Sequence, residues 1–246
     1  MLRVFSGLLA SLLAASLVGA APLQVLSAGE EGLRLAITMT PPRVQELELD
    51  GKRLQQLDLP PGFARLAEPG QPALPFFAAP IAVPPRAGVR VEVEVVRWAR
   101  VEGLDLAPAP RHAEEDDAPR YETDPRHYLS DALAPAQLFA LAEGGSLRGV
   151  RTCMLQLYPF RYNPLRRQLE YCAYLRVRVE FAGAQRPRAA RLPDTPAAAP
   201  LYRALLNPGQ APAWRTASRA LKPTADSEWY DPGRPWVKVY ADEDAL

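Results

Sequence analysis

Cysteine and histidine are scarce in this chain: its 246 residues hold two of each, Cys153, Cys172, His112 and His127. That leaves little material for a metal site or for Cys/His nucleophilic catalysis, and no cofactor is expected. Charge of one sign is lacking too. Twenty-nine Lys+Arg stand against 28 Asp+Glu, a net charge of +1. This removes the whole-chain electrostatic case for nucleic acid or an acidic membrane surface. What is abundant is proline, 27 residues, about twice average usage, which excludes a mostly helical protein. The length allows one to two domains, and an apolar fraction of 48% is enough for a core. Composition favours a module that binds, folds or inhibits.

Residues 1–20 read as a secretory signal peptide. Met1-Leu2-Arg3 is a short positive start, and Val4 to Val18 is an apolar run. Val18-Gly19-Ala20 supplies small residues before Ala21-Pro22, so cleavage is expected between Ala20 and Ala21. The run is short of the ~20 residues of a membrane span. No stable membrane anchor is expected, and the chain should be secreted or periplasmic.

Beyond the leader the hydrophobic period is two. Leu33, Leu35, Ile37 and Met39 alternate with Arg34, Ala36, Thr38 and Thr40. Val44–Leu49, Asp50-Gly51 and Arg53–Leu59 spell a hairpin, because Asp-Gly supplies the positive φ of its turn. In Val89–Val95 valines hold one face and charges of both signs the other. The Pro/Gly-rich stretch 60–85 is expected as edge segments and turns, and Val101–Leu106 as a strand end. Ala107–Arg126, with Glu114-Glu115-Asp116-Asp117, is read as a solvated loop, since it lacks the ligand spacing of a calcium loop. Ser130–Ala142 is open between helix and loop.

Val150–Tyr158 and Leu169–Phe181 flank the turn Asn163-Pro164-Leu165-Arg166. Pairing these strands with Leu157 opposite Ala173 aligns their apolar sets and puts Cys153 and Cys172 on opposite faces. That register argues against a disulfide while export favours one. Ala182–Pro200 becomes a Pro/Ala/Arg linker. Its cluster Arg186, Arg188, Arg191 is too sparse for a nucleic-acid patch and suits a protease-accessible tether. Leu201–Leu206 is a possible short helix, and Trp236–Tyr240 a fresh strand that opens a further domain. The expected organisation is a leader at 1–20, an all-β antiparallel β-sandwich at 21–182, a linker at 183–200 and a tail at 201–246. The sandwich type expected is jelly-roll or carbohydrate-binding-module-like.

A family pattern is carried by three stretches. They are Glu68-Pro69-Gly70-Gln71-Pro72-Ala73-Leu74-Pro75 leading to Ile81–Pro85, then Leu147–Arg151 with Leu157-Tyr158-Pro159-Phe160-Arg161-Tyr162-Asn163-Pro164, and a tail of Leu205-Leu206-Asn207, Gln210-Ala211 and Trp214-Arg215 followed by Trp236–Asp244. Together these resemble the propeptide of gingipain-type cysteine peptidases. The resemblance implies an exported prodomain that helps its peptidase fold and blocks it until proteolytic removal. It also implies a cognate cysteine peptidase catalytic domain as partner and no peptidase activity in this chain alone, because the family's catalytic His and Cys lie downstream. Arg188 and Arg191 are the processing points expected for an Arg-preferring peptidase; Arg186 precedes Pro187 and is a poor one.

Two other readings compete. A sugar-binding module would use aromatics such as Trp98, Tyr158, Tyr171 and Tyr174, although Tyr171 and Tyr174 differ in parity along their strand. A structural or export-associated domain would need no inhibitory role.

Overall fold

A computed structural model describes residues 22–49, 51–66, 68–111, 119–183 and 199–215. The strands in chain order are β1 (Leu23–Gly29), β2 (Gly32–Thr38), β3 (Val44–Leu49), β4 (Lys52–Leu57), β5 (Phe63–Arg65), β6 (Pro75–Ala82), β7 (Gly88–Glu102), β8 (Phe139–Leu147), β9 (Val150–Leu157), β10 (Phe160–Asn163) and β11 (Gln168–Ala182). Helical structure among the described residues is confined to single turns: α1 (Pro125–Tyr128), α2 (Ala199–Tyr202) and a 3-10 turn, Ala211–Trp214. The fold is all-β, and every strand-to-strand ladder is antiparallel. No helix among the described residues is long and apolar enough to cross a membrane.

The long strand β11 organises the first sheet. Along one side it pairs with β7 over its whole length, and along the other with β10 and then β2, beyond which lies β1. The second sheet has the order β5-β6-β9-β8, and β3-β4 stand apart as a hairpin. Leu35, Ile37, Val177 and Val179 of the first sheet and Ile81, Leu155 and Leu157 of the second belong to one hydrophobic cluster. Burying each such side chain contributes about 1.5–3 kcal/mol. Leu33, Leu35, Ile37 and Met39 are buried and Arg34 and Thr38 exposed, as expected, but Ala36 on the opposite face is buried as well. The Asp-Gly hairpin forms with Leu49 opposite Lys52.

Two expectations change. The strands 150–157 and 168–182 do not pair: β9 lies between β6 and β8, and β11 belongs to the other sheet. The turn at Asn163–Arg166 instead closes the short hairpin β10–β11, with Phe160 opposite Tyr171. Pro159, which lacks an N–H, interrupts the chain between β9 and β10, and its carbonyl accepts from Cys172 N–H at 2.8 Å. Equal apolar parity cannot tell a partner strand from one in the facing sheet, since both turn the same residues to the core. Within 60–85, β6 pairs with β9 over residues 77–82 and with β5 only at 75–77, and Pro80 is tolerated because its missing donor lies on the side away from β9. The open stretch 130–142 is neither helix nor loop throughout, because β8 begins at Phe139.

Candidate functional site

The segment after β7 is braced rather than solvated. Gln55 of β4 grips it twice through the backbone, donating to Asp105 O at 2.7 Å and accepting from Ala107 N–H at 2.8 Å, while its side-chain oxygen takes Asp105 N–H at 2.8 Å. On the other flank Ala73 N–H donates to Ala107 O at 3.2 Å and Ala109 N–H to Gln71 O at 2.7 Å. Leu106, Ala107 and Ala109 are consequently buried. Tyr162 Oη donates to Leu104 O and Tyr128 Oη to Leu106 O. Gly70, at φ +84°, lets residue 124 approach: a Cβ there would stand 3.1 Å from Asp124 N and Cβ. Asp124 in turn caps α1 by accepting from Arg126 N–H at 2.9 Å.

At the end of this stem Arg111 and Arg120 exchange backbone hydrogen bonds of 2.8 and 3.0 Å, and both side chains are exposed. The acidic run 114–117, His112 and the calcium-loop reading lie outside the described residues. Beside the stem is a cleft of about 530 Å³ lined by Leu49, Lys52, Asp105, Tyr121, Tyr128 and Tyr162 among others. Such a mixture of phenol rings and single charges suits a polypeptide contact.

The outer face of the β7–β11 ladder satisfies itself. Arg90 stands opposite Glu180, Glu92 opposite Arg178 and Glu94 opposite Arg176, so charges of opposite sign meet across the strands. Arg161 lies 4.2 Å from the Trp98 ring centroid and pairs with Glu170 at 3.3 Å, which Arg100 reaches at 2.9 Å. The four aromatics that a sugar platform would need are dispersed. Tyr171 is in the core against Phe160, Tyr158 stacks on Phe76, Trp98 lies under Arg161 and Tyr174 faces Arg176.

Neither cysteine is placed for chemistry. Cys153 and Cys172 are free, buried thiols in different sheets. Burial, with Glu143 adding to it, pushes Cys153 up to about 12. Burial does the same at Cys172, to about 12, with Arg161 opposing it and Glu170 adding to it. Both thiols are protonated at neutral pH and are poor nucleophiles. His127 sits on α1, 4.0 Å from the Asp124 carboxylate. Among the described residues no three His, Cys, Asp or Glu gather to hold a metal ion. Ala20, Ala21, Arg186, Arg188, Arg191 and the strand expected at 236–240 lie outside the described residues.

The stem is the feature that a sequence reading passes over. Proline and alanine in Ala107-Pro108-Ala109-Pro110 look like loop, and their partners Pro69 and Pro72 are almost forty residues away. Within the described residues, the family pattern builds the scaffold, while Trp236–Asp244 lies outside them. Residues 69–73 form the flank of the stem, 157–164 carry the chain between sheets, and 205–215 pack into the core.

Comparison with known proteins agrees with this architecture. The Propeptide_C25 family model matches residues 17–193. No curated protein matches the chain. Two solved structures from Porphyromonas gingivalis share the fold. One is a structure bearing on the zymogenic latency of gingipain K, at 19% identity and TM-score 0.58, covering 66% of this chain and 93% of its own. The other is from the complex of the RgpB pro- and mature domains, at 20% identity and TM-score 0.64, covering 77% of this chain and 99% of its own. The chain belongs to the Propeptide_C25 family.

Proposed function

We propose that this chain is the exported prodomain of a gingipain-type cysteine peptidase precursor. It assists folding of the catalytic part and inhibits it, whether the two share one precursor or meet as separate chains. Family membership and the fold shared with a chain from the RgpB pro- and mature-domain complex support this reading. The leader is residues 1–20 with cleavage at Ala20–Ala21, the body is a β-sandwich of jelly-roll or carbohydrate-binding-module type at 21–182, and the tether is 183–200. The single hydrophobic cluster spanning the two larger sheets supports the sandwich. Arg188 and Arg191 are the processing points.

The braced stem carries the inhibitory role. A polypeptide that occupies a peptidase cleft without being turned over must be held stiffly, so that little ordering entropy is lost on binding and the scissile region cannot adapt. The stem has backbone hydrogen bonds on both flanks, borders an aromatic cleft through Asp105, Leu106 and Pro108, and presents exposed Arg111 and Arg120 at its end. The test is to titrate an Arg-preferring gingipain-type catalytic domain with the purified chain. Slow-onset inhibition with a cut confined to the tether is expected. Rapid digestion of the body without inhibition would overturn the reading.

A further inference from the structure

Residues 199–215 follow the tether in sequence yet lie inside the folded body. Tyr202, Leu205, Ala211 and Trp214 are each at most 5% exposed and join the main hydrophobic cluster. Their position is explained by the edge of β6. Alternate residues of β6 turn their backbone groups toward β9, and the intervening ones turn away from it. Strand β5 reaches only residues 75–77, so Pro80 and Ala82 point their outward groups at nothing in the sheet.

The 199–215 segment fills that place. Leu206 N–H donates to Pro80 O at 3.0 Å. The Asn207 amide then does what a neighbouring strand would do: its Oδ1 accepts from Ala82 N–H at 2.8 Å and its Nδ2 donates to Ala82 O at 3.0 Å. Asn207 is 1% exposed, and a buried amide must keep such partners. The far end ties to the other sheet. Trp214 meets Phe181 of β11 edge-on at 5.5 Å and 87°. Gln210 Nε2 donates to Ala28 O of β1 at 3.1 Å, while Arg215 Nε returns to the sheet of β6, donating to Arg148 O in the β8–β9 turn at 2.9 Å.

We propose that the open side of β6, with Phe181 and the end of β1, is a peptide-binding site whose ligand is this chain's own 199–215 segment. The segment holds without help from a covalent link through residues 184–198. Hydrolysis at Arg188 or Arg191 adds water across one peptide bond, leaving a carboxylate on the arginine and an ammonium on Ala189 or Leu192. It therefore yields one body made of two chains. Whatever follows residue 215 stays attached after such a cut, and its release requires a second cut beyond Arg215. Only the meaning of this for latency rests on the prodomain reading; the binding itself does not.

The test uses the full chain with residues 186–191 replaced by the recognition sequence of a site-specific protease. After complete cleavage, both fragments should elute together at the volume of the uncut protein and separate only in denaturant. Elution of the C-terminal fragment alone would overturn the proposal. In the same background Asn207→Ala with Trp214→Ala should leave the uncut chain folded by circular dichroism, yet raise the fragment lost on dilution at least tenfold after cleavage. Asn207→Ala alone is the milder variant should the double one not fold, with a smaller loss in the same direction. Unchanged retention in the variant that folds would equally overturn the assignment. No cysteine peptidase enters this assay, so a failed inhibition experiment with co-eluting fragments would reject the prodomain reading alone.

Discussion

Tyr162 shows how one side chain links distant parts. Its backbone exchanges hydrogen bonds with Ala134 at 3.0 and 2.8 Å while its hydroxyl holds Leu104 O on the stem. Tyr162→Phe should cost about 1–2 kcal/mol by denaturant unfolding, the expense of leaving a buried carbonyl unpaired. Hydrogen exchange should quicken around residues 104–107 first. Asp131 makes the neighbouring link. Hydrogen bonds from Arg166 and Asn163 hold its carboxyl down, from 3.8 to about 2. A carboxyl depressed in the folded state adds stability above its unfolded pKa and loses it as pH falls through the folded value. The Tm gap between the native chain and Asp131→Asn should therefore stay constant from pH 7 to about 5 and close as pH approaches about 2. A gap that vanished near neutrality would contradict this assignment.

At the scale of elements, the outer face of β11 depends on what β7 lays over it. Trp98 stands opposite Cys172, and Arg161 covers the indole. Neither thiol should react with iodoacetamide in the folded protein at pH 8, and Trp98→Ala should speed labelling of Cys172 but not Cys153, as read by mass spectrometry. Equal acceleration at both would mean global loosening instead. The strands differ in how plainly they announce themselves. β2, β7 and the β3–β4 hairpin are legible because alternation or an Asp-Gly turn acts locally. β8 is not, since Phe139-Ala140-Leu141-Ala142-Glu143-Gly144-Gly145 has no β-branched residue and is held as a strand by β9 through a bulge at Glu143/Gly145. β1 is likewise a strand made by its neighbour, mostly exposed and paired only with β2 among the described residues.

At the scale of the molecule, residues 199–215 count as part of the core. A chain ending at residue 198 should unfold at lower denaturant, by about 5 kcal/mol or more from three large buried side chains, Tyr202, Leu205 and Trp214. An unchanged midpoint would show that this segment packs without contributing. The sequence by itself determined the all-β class, the turns and the family, because periodicity of two, Asp-Gly and Asn-Pro, and ordered motifs are local or one-dimensional signals. Which strands share a sheet, where the Pro/Ala stretch 104–111 is clamped, and how Asn207 completes β6 were decided only by the tertiary structure. Each of these joins backbone groups far apart in the chain, and any apolar strand of matching parity or any amide would satisfy the same local pattern until packing leaves room for one.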